Sequence, residues 1–386
     1  MMAVVLRSLL TFIFLSLFWG SEVSYTFTDA AKMEILYEES LWTSGVGSAE
    51  YKHYRIPILT STPNGDLLAF VEGRKTINDT DTRKKTIFMR RSADKGETWD
   101  PPVDLLHATN SKPGYYNLGT IVVDKINGSL LLLFSYCAFW NCSPNKFPTV
   151  YMLRSNNWGL NWTKPLNLAS SNPGLKNISF IPGPGVGIQK MYEPYRGRLI
   201  SCGHTRAKNN LQVAMRCIVS DDHGMTWRVA GGLVSIPYRS PHCDKDFEIN
   251  ESQLVELPDG SLLVNSRNEY HFDCKCRITS RSIDGAETFP WTQVQVDRNL
   301  ADPSCQGSTI LQGRTLLFSN PSNPNHRHNM TVKWSTDYGR TWDGALIINP
   351  ADSAYSCLSP IDEKHVGLLY EKGHYKAVSF VKLRLE

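Results

Sequence analysis

The stretch Ser220–Trp227, which reads SDDHGMTW, decides the fold of this chain because its pattern S-x-D-x-G-x-T-W recurs. Ser92–Trp99 and Ser335–Trp342 match the pattern fully, and Ser155–Trp162 and Ser282–Phe289 match it with substitutions. We call this motif the Asp box. Its Asp side chain can accept backbone N–H groups in a tight turn, and its Gly permits a positive φ. Each Asp box is therefore expected to close a β-hairpin, with the last aromatic residue packed beneath the turn.

The Asp boxes are regularly spaced. They begin at residues 92, 155, 220, 282 and 335, so the intervals are 63, 65, 62 and 53 residues. A regular interval of this kind indicates a repeat architecture. About 60 residues are enough for four short strands with their loops, which is one blade of a β-propeller. Five boxes and one blade without a box predict an all-β, six-bladed β-propeller with Asp-box hairpins on its rim, closed by strands from both chain ends.

The rest of the chain agrees with an all-β fold. Short β-rich runs such as Ile56–Thr60, Leu67–Glu72 and Leu130–Tyr136 alternate with turn signals such as Pro63-Asn64-Gly65. Helical periodicity is almost absent, and no linker or low-complexity tract divides the chain. We therefore expect a single propeller domain at residues 43–386.

The N-terminus reads MMAVVLRSLLTFIFLSLFWG, with Arg7 ahead of an apolar run that is too short to span a bilayer. This pattern is typical of a secretory signal peptide. We expect the signal peptide at residues 1–24, with cleavage between residues 20 and 25, and a lead-in segment at residues 25–42. No later segment is predicted to cross a membrane.

The nine cysteines would then lie in an oxidising compartment, which favours disulfides. The pairs Cys137–Cys142 and Cys202–Cys217 could each bridge a short loop. The Cys274-x-Cys276 pair lacks a second C-x-x-C motif, so a zinc site is only weakly indicated and we predict no metal. At least one thiol should remain free, because the number of cysteines is odd.

Charge and sequons narrow the class of protein further. The net charge of +4 is dispersed, and the longest basic run is Arg83–Lys85, so we expect no nucleic-acid partner. Seven N-x-S/T sequons fit a glycosylated protein of the secretory pathway. They lie at Asn78, Asn127, Asn141, Asn161, Asn177, Asn250 and Asn329.

Three arginines suggest a functional site. Arg55 stands at the head of the first apolar strand, in Tyr54-Arg55-Ile56-Pro57, where a lone arginine would be interpreted as a surface charge. Arg267 follows another strand-like run, and Arg327 precedes a third. Because the first-strand ends and loops of every blade line the central channel of a propeller, these three side chains could converge there.

Together with the Asp boxes, this first strand resembles the sialidase (exo-α-neuraminidase) family, and further stretches resemble its lysosomal members in particular. In chain order these are LLAFVEGR (67–74), PGPGVGIQ (182–189), ELPDGS (256–261), FSNP (318–321) and LYEKG (369–373). The resemblance covers about residues 54–373. It implies a sialidase-type propeller, with Arg55, Arg267 and Arg327 gripping the carboxylate of sialic acid. A planar guanidinium suits that task because it binds a carboxylate bidentately.

The resemblance also implies catalytic roles. Tyr355, in SAYSCL, matches the family's nucleophile, Glu251, in NESQLVEL, matches the base that takes its proton, and Asp81 matches the general acid/base. Glu371 matches a carboxylate that orients Arg55. Glu72 and Arg74 match residues of the pocket near the acid. The implied reaction is the removal of terminal α-linked sialic acid from glycoproteins, oligosaccharides and gangliosides, with retention through a covalent tyrosyl intermediate.

Each assignment has a simpler alternative. Tyr355 is one of sixteen tyrosines and could belong to the core, and Glu251 could be a surface residue. Counting back from Arg90-Arg91 favours Asp81 as the acid, whereas counting forward from Arg74 favours Asp79; we choose Asp81. The sequon at Asn250 adjoins the proposed base, so we predict that Asn250 carries no glycan.

Two other functions compete with the enzyme. A propeller lectin would keep the arginines and bind sialic acid without cleaving it, but it would have no reason to retain Tyr355, Glu251 and Asp81 together. An Asp-box scaffold of the sorting-receptor type would bind proteins and lack the three arginines.

The resemblance implies no cofactor, an acidic working pH, and a protective serine carboxypeptidase (cathepsin A) as partner beside the sialylated substrates. It leaves open peripheral membrane association and homo-oligomer formation. We expect the lysosome, reached through the secretory pathway. The chain ends in VKLRLE, without the Tyr-x-x-apolar sorting signal of the lysosomal relatives, so that the cell surface or secretion are also allowed.

Overall fold

The computed structural model of the chain describes residues 32–46, 50–75, 84–107, 114–137, 148–176, 178–207, 213–234 and 247–386. These residues belong to one compact unit, Ala31–Glu386. The predicted signal peptide therefore lies outside the described residues.

Strands dominate the described residues, as the alternation of β-rich runs and turns predicts. In chain order they are β1 (Met33–Thr43), β2 (His53–Ser61), β3 (Leu67–Arg74), β4 (Lys85–Ser92), β5 (Val103–His107), β6 (Tyr115–Asp124), β7 (Ser129–Cys137), β8 (Thr149–Ser155), β9 (Leu166–Asn167), β10 (Ile178–Pro182), β11 (Gly185–Val186), β12 (Ile188–Gln189), β13 (Leu199–Ala207), β14 (Val213–Ser220), β15 (Arg228–Val234), β16 (Ile249–Glu256), β17 (Leu262–Asn268), β18 (Cys276–Ser282), β19 (Gln295–Ala301), β20 (Ser308–Gln312), β21 (Thr315–Pro321), β22 (His328–Ser335), β23 (Gly344–Pro360), β24 (His365–Lys372) and β25 (Ala377–Leu385). Within the part of the chain that the structure describes, helices are limited to single turns at Leu168–Ser171, Pro173–Leu175 and Trp291–Gln293, and none is long enough to cross a membrane.

The described strands form five sheets, built mainly from consecutive antiparallel strands. Two have four strands, β2–β5 and β16–β19. Two have five: β6–β9 with β11 added in parallel to β6, and β13–β15 with β10 and β12 both pairing β13. The fifth sheet has seven strands, in the order β1-β25-β24-β23-β22-β21-β20.

The long strand β23 explains why the sheets number five where six separate ones were predicted. Its first half pairs with β22, from Trp334↔Gly344 to His328↔Asp352. Its second half pairs with β24, from Ser353↔Lys372 to Pro360↔Val366. Because the strand continues from one partner to the other without a break, two four-stranded groups merge into one sheet.

The two ends of the chain meet in this sheet. Strand β1 lies within the segment predicted as a lead-in, and it pairs with the last strand, β25, along Met33↔Leu385 to Thr43↔Ala377. The sheet therefore depends on hydrogen bonds between residues more than 300 positions apart, which only the folded chain can bring together.

The core lies within and between the sheets. All eight residues of β3 are buried, and most residues of β7, β17, β21 and β24 are buried as well. The first strands of the sheets also touch one another. Gln253 on β16 donates to the carbonyl of Pro184 at 3.2 Å and accepts from the Ser308 hydroxyl on β20 at 3.1 Å. Such bonds between sheets hold the first strands in one central cluster.

Each of the five Asp boxes closes an antiparallel hairpin between the third and fourth strands of a four-strand group. In every box the Ser hydroxyl accepts the N–H four residues later, at 2.8–3.0 Å. Ala286, which replaces the box Gly in one copy, adopts a φ of +73° and keeps this bond. The hydrogen-bond pattern therefore survives the substitution, at the cost of a conformation that Gly adopts more readily.

A box aspartate should contribute stability that depends on pH. Asp94 accepts from both the N–H and the hydroxyl of Thr98, and these bonds lower the pKa of Asp94 to about 2. Because the unfolded pKa is about 3.9, the stabilisation should be complete above that pH and disappear as the pH falls through about 2. We expect Asp94→Ala to lower Tm by about 2–4 °C at pH 7.

The measurement is the Tm difference between wild type and Asp94→Ala from pH 7 to pH 2.5, by circular dichroism. Asp100→Ala is the matched control, because the Asp100 side chain is 62% exposed and lies 3.9 Å from Arg91. A Tm difference that does not shrink in acid would contradict the role of the Asp94 carboxylate.

The cysteine predictions can be compared with the structure in part. Cys202 and Cys217 face each other across β13 and β14 and form the predicted disulfide. Cys274 and Cys276 are joined to each other in a disulfide. Cys137 is disulfide-bonded, and its predicted partner Cys142 lies outside the described residues. Among the described residues, the free thiols are Cys305 and Cys357, both buried.

Candidate active site

The candidate residues share one end of the sheets. Glu251 lies near the start of a first strand, β16, and Arg267 lies near the end of its neighbour, β17. Tyr355 lies near the start of the second half of β23, the half that pairs with β24, and Glu371 lies near the end of β24. Because neighbouring strands run antiparallel, the start of one and the end of the next lie at the same edge. The Asp boxes follow the third strands and therefore lie at the opposite end.

Tyr355 and Glu251 form the centre of the cluster. The Tyr355 hydroxyl donates a short hydrogen bond to the Glu251 carboxylate, although the two residues are 104 positions apart. Only 7% of Tyr355 is exposed. Burial, and then the charge of Glu251, raise the pKa of Tyr355 well above the usual value of a phenol, while Arg267 and Arg327 oppose the shift. The phenol is therefore protonated at rest, with a carboxylate base already in contact with its proton.

Arg267 contacts both members of this pair. Its Nη1 lies 3.0 Å from Glu251 Oε2 and 3.2 Å from the Tyr355 hydroxyl oxygen. Its Nη2 donates to Glu269 Oε1 at 3.0 Å. A guanidinium in this place would stabilise negative charge that develops on the phenol oxygen.

Arg55 is held by Glu371. Its Nε donates to Glu371 Oε1 at 2.6 Å, and the Glu371 side chain is fully buried. Glu371 also accepts the N–H of Ile56 at 2.9 Å and the N–H of Tyr355 at 3.1 Å. Ile56 has a φ of +58° at a register shift between β2 and β3, a costly conformation for a β-branched residue. This strained backbone presents its N–H to the carboxylate that orients Arg55.

Arg327 completes the group of three arginines. Its Nη2 donates to the carbonyl of Ser304 at 2.8 Å, and its guanidinium carbon lies 5.6 Å from the centre of the Tyr355 ring. The Arg55 guanidinium lies 5.2 Å from the same ring. Among the described residues, Arg327 has no carboxylate partner, so its charge is available to a bound anion.

Glu72 and Arg74 lie at the end of β3 and are both buried. Arg74 Nη2 donates to Glu72 Oε2 at 2.8 Å, and Lys85 Nζ lies 3.2 Å from the same oxygen. Glu72 Oε1 accepts the N–H of Leu118 at 2.8 Å. These contacts fix a charged group at the same edge as Arg55, because Glu72 pairs with Arg55 in the β2–β3 register.

The structure does not describe the predicted general acid. Asp81 and its alternative Asp79 both lie outside the described residues. The structure therefore brings together Arg55, Arg267, Arg327, Tyr355, Glu251 and Glu371, and it places Glu72 and Arg74 on the adjoining strand.

Comparison with known proteins shows the family of the chain. Residues 66–367 match the family model described as a BNR repeat-like domain. The sialidase of Micromonospora viridifaciens is 31% identical over 347 residues, which cover 85% of this chain and 51% of that protein. The chain belongs to the sialidase family. It spans about half the length of that bacterial relative.

Solved structures of other sialidases share the fold of this chain. The Hadza microbial sialidase Hz136 matches with a TM-score of 0.73 and 24% identity over 87% of this chain and 66% of that chain. A Trypanosoma rangeli sialidase, solved with 2,3-difluorosialic acid as a covalent intermediate, matches with a TM-score of 0.65 and 18% identity over 91% of this chain and 58% of that chain. These likenesses show the sialidase-like, all-β propeller fold.

Sequence reasoning missed two residues of the sialidase-like site. The Tyr375 ring lies 4.1 Å from the Arg55 guanidinium, and its hydroxyl is 3.4 Å from Arg327 Nη1. Glu269 binds Arg267 and also accepts from the Asn250 side chain at 3.2 Å. Glu269 could have been considered, because it is a carboxylate only two residues after Arg267, just beyond the end of β17. No local signal marks Tyr375, which lies beyond the end of β24. The absence of a glycan on Asn250 stays a prediction.

Proposed function

We propose that this protein is an exo-α-sialidase, which hydrolyses terminal α-linked sialic acid from glycoproteins, oligosaccharides and gangliosides. The observation that supports this most strongly is the hydrogen bond from the Tyr355 hydroxyl to Glu251, beside the guanidinium groups of three arginines. A lectin would need the arginines but not the buried tyrosine–carboxylate pair.

The three arginines suit the carboxylate of sialic acid. Arg55 and Arg267 are held by Glu371, Glu251 and Glu269, whereas Arg327 is held by a backbone carbonyl and a tyrosine hydroxyl. A bound carboxylate would therefore meet its largest uncompensated charge at Arg327. Several planar forks would also fix the orientation of the sugar, which single ammonium groups would not do.

A tyrosine suits the attack on this sugar better than a carboxylate would. Sialic acid carries its own carboxylate on the reacting carbon. Two like charges 4 Å apart repel by about 1 kcal/mol in water and by about 4 kcal/mol at an effective dielectric constant of 20. The neutral phenol of Tyr355 avoids this repulsion during approach. Its raised pKa then makes the Glu251 base necessary.

The proposed reaction has two steps. In the first, the Tyr355 oxygen bonds to the anomeric carbon, Glu251 takes the phenolic proton, and Asp81 donates a proton to the departing glycosidic oxygen. In the second, Asp81 takes a proton from water, the water oxygen attacks the anomeric carbon, and Tyr355 leaves and regains its proton from Glu251. Two inversions give net retention. The covalent intermediate of the Trypanosoma rangeli relative supports this course.

The test is an assay of the purified full chain with a fluorogenic α-sialoside between pH 4 and pH 7. We expect turnover, with α-sialic acid as the first product by proton NMR. The same assay on Asp81→Ala and Asp79→Ala decides which of the two is the acid. Sialoside binding without turnover, also after addition of the carboxypeptidase partner, would favour the non-catalytic lectin; a β product first would contradict retention.

Further parts of the proposal rest on the resemblance and on the topology. We propose six blades, in which the seven-stranded sheet would divide at β23 into two groups of four strands that share this strand. The Asp boxes would then lie on the rim of the propeller. We also propose an N-terminal signal peptide, lysosomal residence, kinship with the lysosomal sialidases and cathepsin A as partner.

A further inference from the structure

The connector between β19 and β20, residues 302–307, contacts the backbone beside Tyr355 and the side chain of Arg327. None of its residues belongs to the nine for which the sequence suggested a role. Gln306 Oε1 accepts the N–H of Ser356 at 3.0 Å, next to Tyr355. The Ser304 carbonyl accepts from Arg327 at 2.8 Å. The connector therefore holds both the residue next to Tyr355 and the side chain of Arg327.

Asp302 joins this connector to the strand that carries Arg267. Its side chain is fully buried. Oδ2 accepts the N–H of Asn268, the residue after Arg267, at 2.9 Å, and Oδ1 accepts the N–H of Cys305 at 2.9 Å. The two oxygens of this carboxylate thus accept one backbone N–H group from β17 and one from the connector. This arrangement sets the spacing between β17 and the connector.

Arg277 balances the charge of Asp302 and makes parallel contacts. It is fully buried, and its Nη1 donates to Asp302 Oδ2 at 3.0 Å and to the carbonyl of Cys305 at 2.6 Å. Its Nε donates to Asn265 Oδ1 on β17 at 2.7 Å. Burial lowers the pKa of Arg277, and the Asp302 carboxylate opposes that shift. Asp302 and Arg277 therefore each form hydrogen bonds both to β17 and to the connector.

Ser304 links the connector to Arg327 and to the backbone near Arg267. It has a φ of +51°, a conformation that costs energy for a residue with a side chain. Its hydroxyl donates to the carbonyl of Glu269 at 2.8 Å, and Glu269 itself binds Arg267. The carbonyl of Ser304 holds Arg327 while its hydroxyl is tied to the backbone beside Arg267.

From these contacts we propose that Asp302 is a positioning residue, which sets the separation of Arg267 and Arg327 through the backbone of Asn268 on one side and of Cys305 and Ser304 on the other. The proposal rests on the proposed function, because the ligand of the two arginines is taken to be a sugar carboxylate. A small displacement of one arginine weakens binding strongly, because two forks must meet one planar group.

Asp302→Asn is the informative substitution. The amide keeps the shape of the side chain, but it replaces one acceptor oxygen by a donor, so that one of the two backbone N–H groups loses its partner. The readout is the ratio of the dissociation constant of the methyl ester of 2-deoxy-2,3-didehydro-sialic acid to that of the free acid, measured by calorimetry. We expect the variant to lower this ratio by about tenfold, because the carboxylate loses its optimal contacts.

Stability is a separate readout. Asp302→Asn leaves the buried Arg277 charge without its partner, so Tm should fall by about 5–10 °C. Adding Arg277→Met removes that charge and should reverse much of the fall in Tm, while the ratio of dissociation constants should stay low. Recovery of both quantities in the double variant would show that Asp302 only compensates a charge, and would overturn the positioning role.

The control is Asp124→Asn. Asp124 is also fully buried and accepts two backbone N–H groups, those of Ile126 at 3.2 Å and Asn127 at 3.0 Å, in the β6–β7 turn. It should lower Tm without changing the ratio of dissociation constants. An equal loss of the ratio in this control would overturn the proposal, because any buried aspartate would then have the same effect.

Ser304→Ala covers the case in which Asp302→Asn does not fold. It removes the hydroxyl bond to Glu269 and should lower the ratio by about threefold; an unchanged ratio would overturn the proposal. Failure of the wild type to bind the free acid would overturn the proposed function and this inference together. Wild-type binding with an unchanged ratio in Asp302→Asn would overturn this inference alone.

Discussion

Tyr355→Phe is expected to lower kcat on a sialoside by about 10⁴-fold, because it removes the oxygen that would bond to the anomeric carbon. The ring would remain between the guanidinium groups of Arg55 and Arg327, so the affinity for a sialic acid analogue should change little. The loss should not be recovered at higher pH, because the variant has no phenol to ionise. The measurement is kcat under saturating substrate, beside the dissociation constant of the analogue.

A covalent trap gives a second readout for the same variant. Incubation of the wild type with 2,3-difluorosialic acid should add the mass of one sugar residue to Tyr355, by intact mass and peptide mapping. Tyr355→Phe should gain no mass there, and Glu251→Gln should gain it slowly, since it lacks the base. Retention of wild-type kcat by Tyr355→Phe would exclude the tyrosyl intermediate while leaving the sialidase activity itself in place.

The matched control for this variant is Tyr370→Phe. Tyr370 is also buried, and its hydroxyl donates to a carboxylate oxygen of Glu38 at 2.8 Å, between β24 and β1. Both substitutions remove one tyrosine–glutamate hydrogen bond, so their effects on Tm should be similar. Only Tyr355→Phe should lose turnover, which separates a chemical role from a general loss of stability.

Arg327→Ala is expected to lower kcat/KM by about 10²–10³-fold. Of the three site arginines, Arg327 is the one for which the described residues provide no carboxylate partner, so a ligand carboxylate would gain most from its charge. Arg327→Lys should recover only part of the loss, because an ammonium keeps the charge but not the planar fork. The measurements are kcat/KM and the dissociation constant of a free sialic acid analogue against that of its methyl ester.

For the arginine variants the control is Arg298→Ala, since the Arg298 side chain is 64% exposed and forms a surface ion pair with Asp273 at 2.8 Å. This variant should keep wild-type kcat/KM. If Arg327→Ala bound the free acid as tightly as the wild type does, the three arginines would not be the carboxylate clamp. The Tm of each variant shows whether the loss of the Ser304 and Tyr375 contacts has affected the fold.

The repeated motif and the candidate residues could be inferred from the sequence to different degrees. The Asp box depends on hydrogen bonds between residues two and four positions apart, as in Ser220, Asp222 and Thr226, so its pattern is visible in any eight-residue window. Arg55, Arg267 and Arg327 were nominated by their places beside strand-like runs and then by resemblance. Tyr355, Glu251 and Glu371 were nominated by resemblance alone, and the structure brings all six together. Asp81 stays a prediction, because it lies outside the described residues.

Other features have no local signature. Whether β23 ends at one sheet or continues into the next depends on the strands that flank it, and this changed the number of separate sheets. Tyr375 and the Asp302–Arg277 pair became visible only through contacts with strands distant in sequence. Their side chains are ordinary tyrosine, aspartate and arginine residues until the fold places them beside Arg55, Arg267 and Arg327.

The sequence alone determined that this chain is an all-β repeat protein, because turn chemistry and strand patterning act over a few residues. Its resemblance to the sialidases implied the type. Only the tertiary structure decided how the arginines, the tyrosine and their carboxylates meet. The Tyr355–Glu251 bond spans 104 residues and the Arg55–Glu371 bond spans 316. Contacts between residues so far apart form only when the sheets pack against one another. The free energy of that packing comes from residues throughout the chain and not from any single motif.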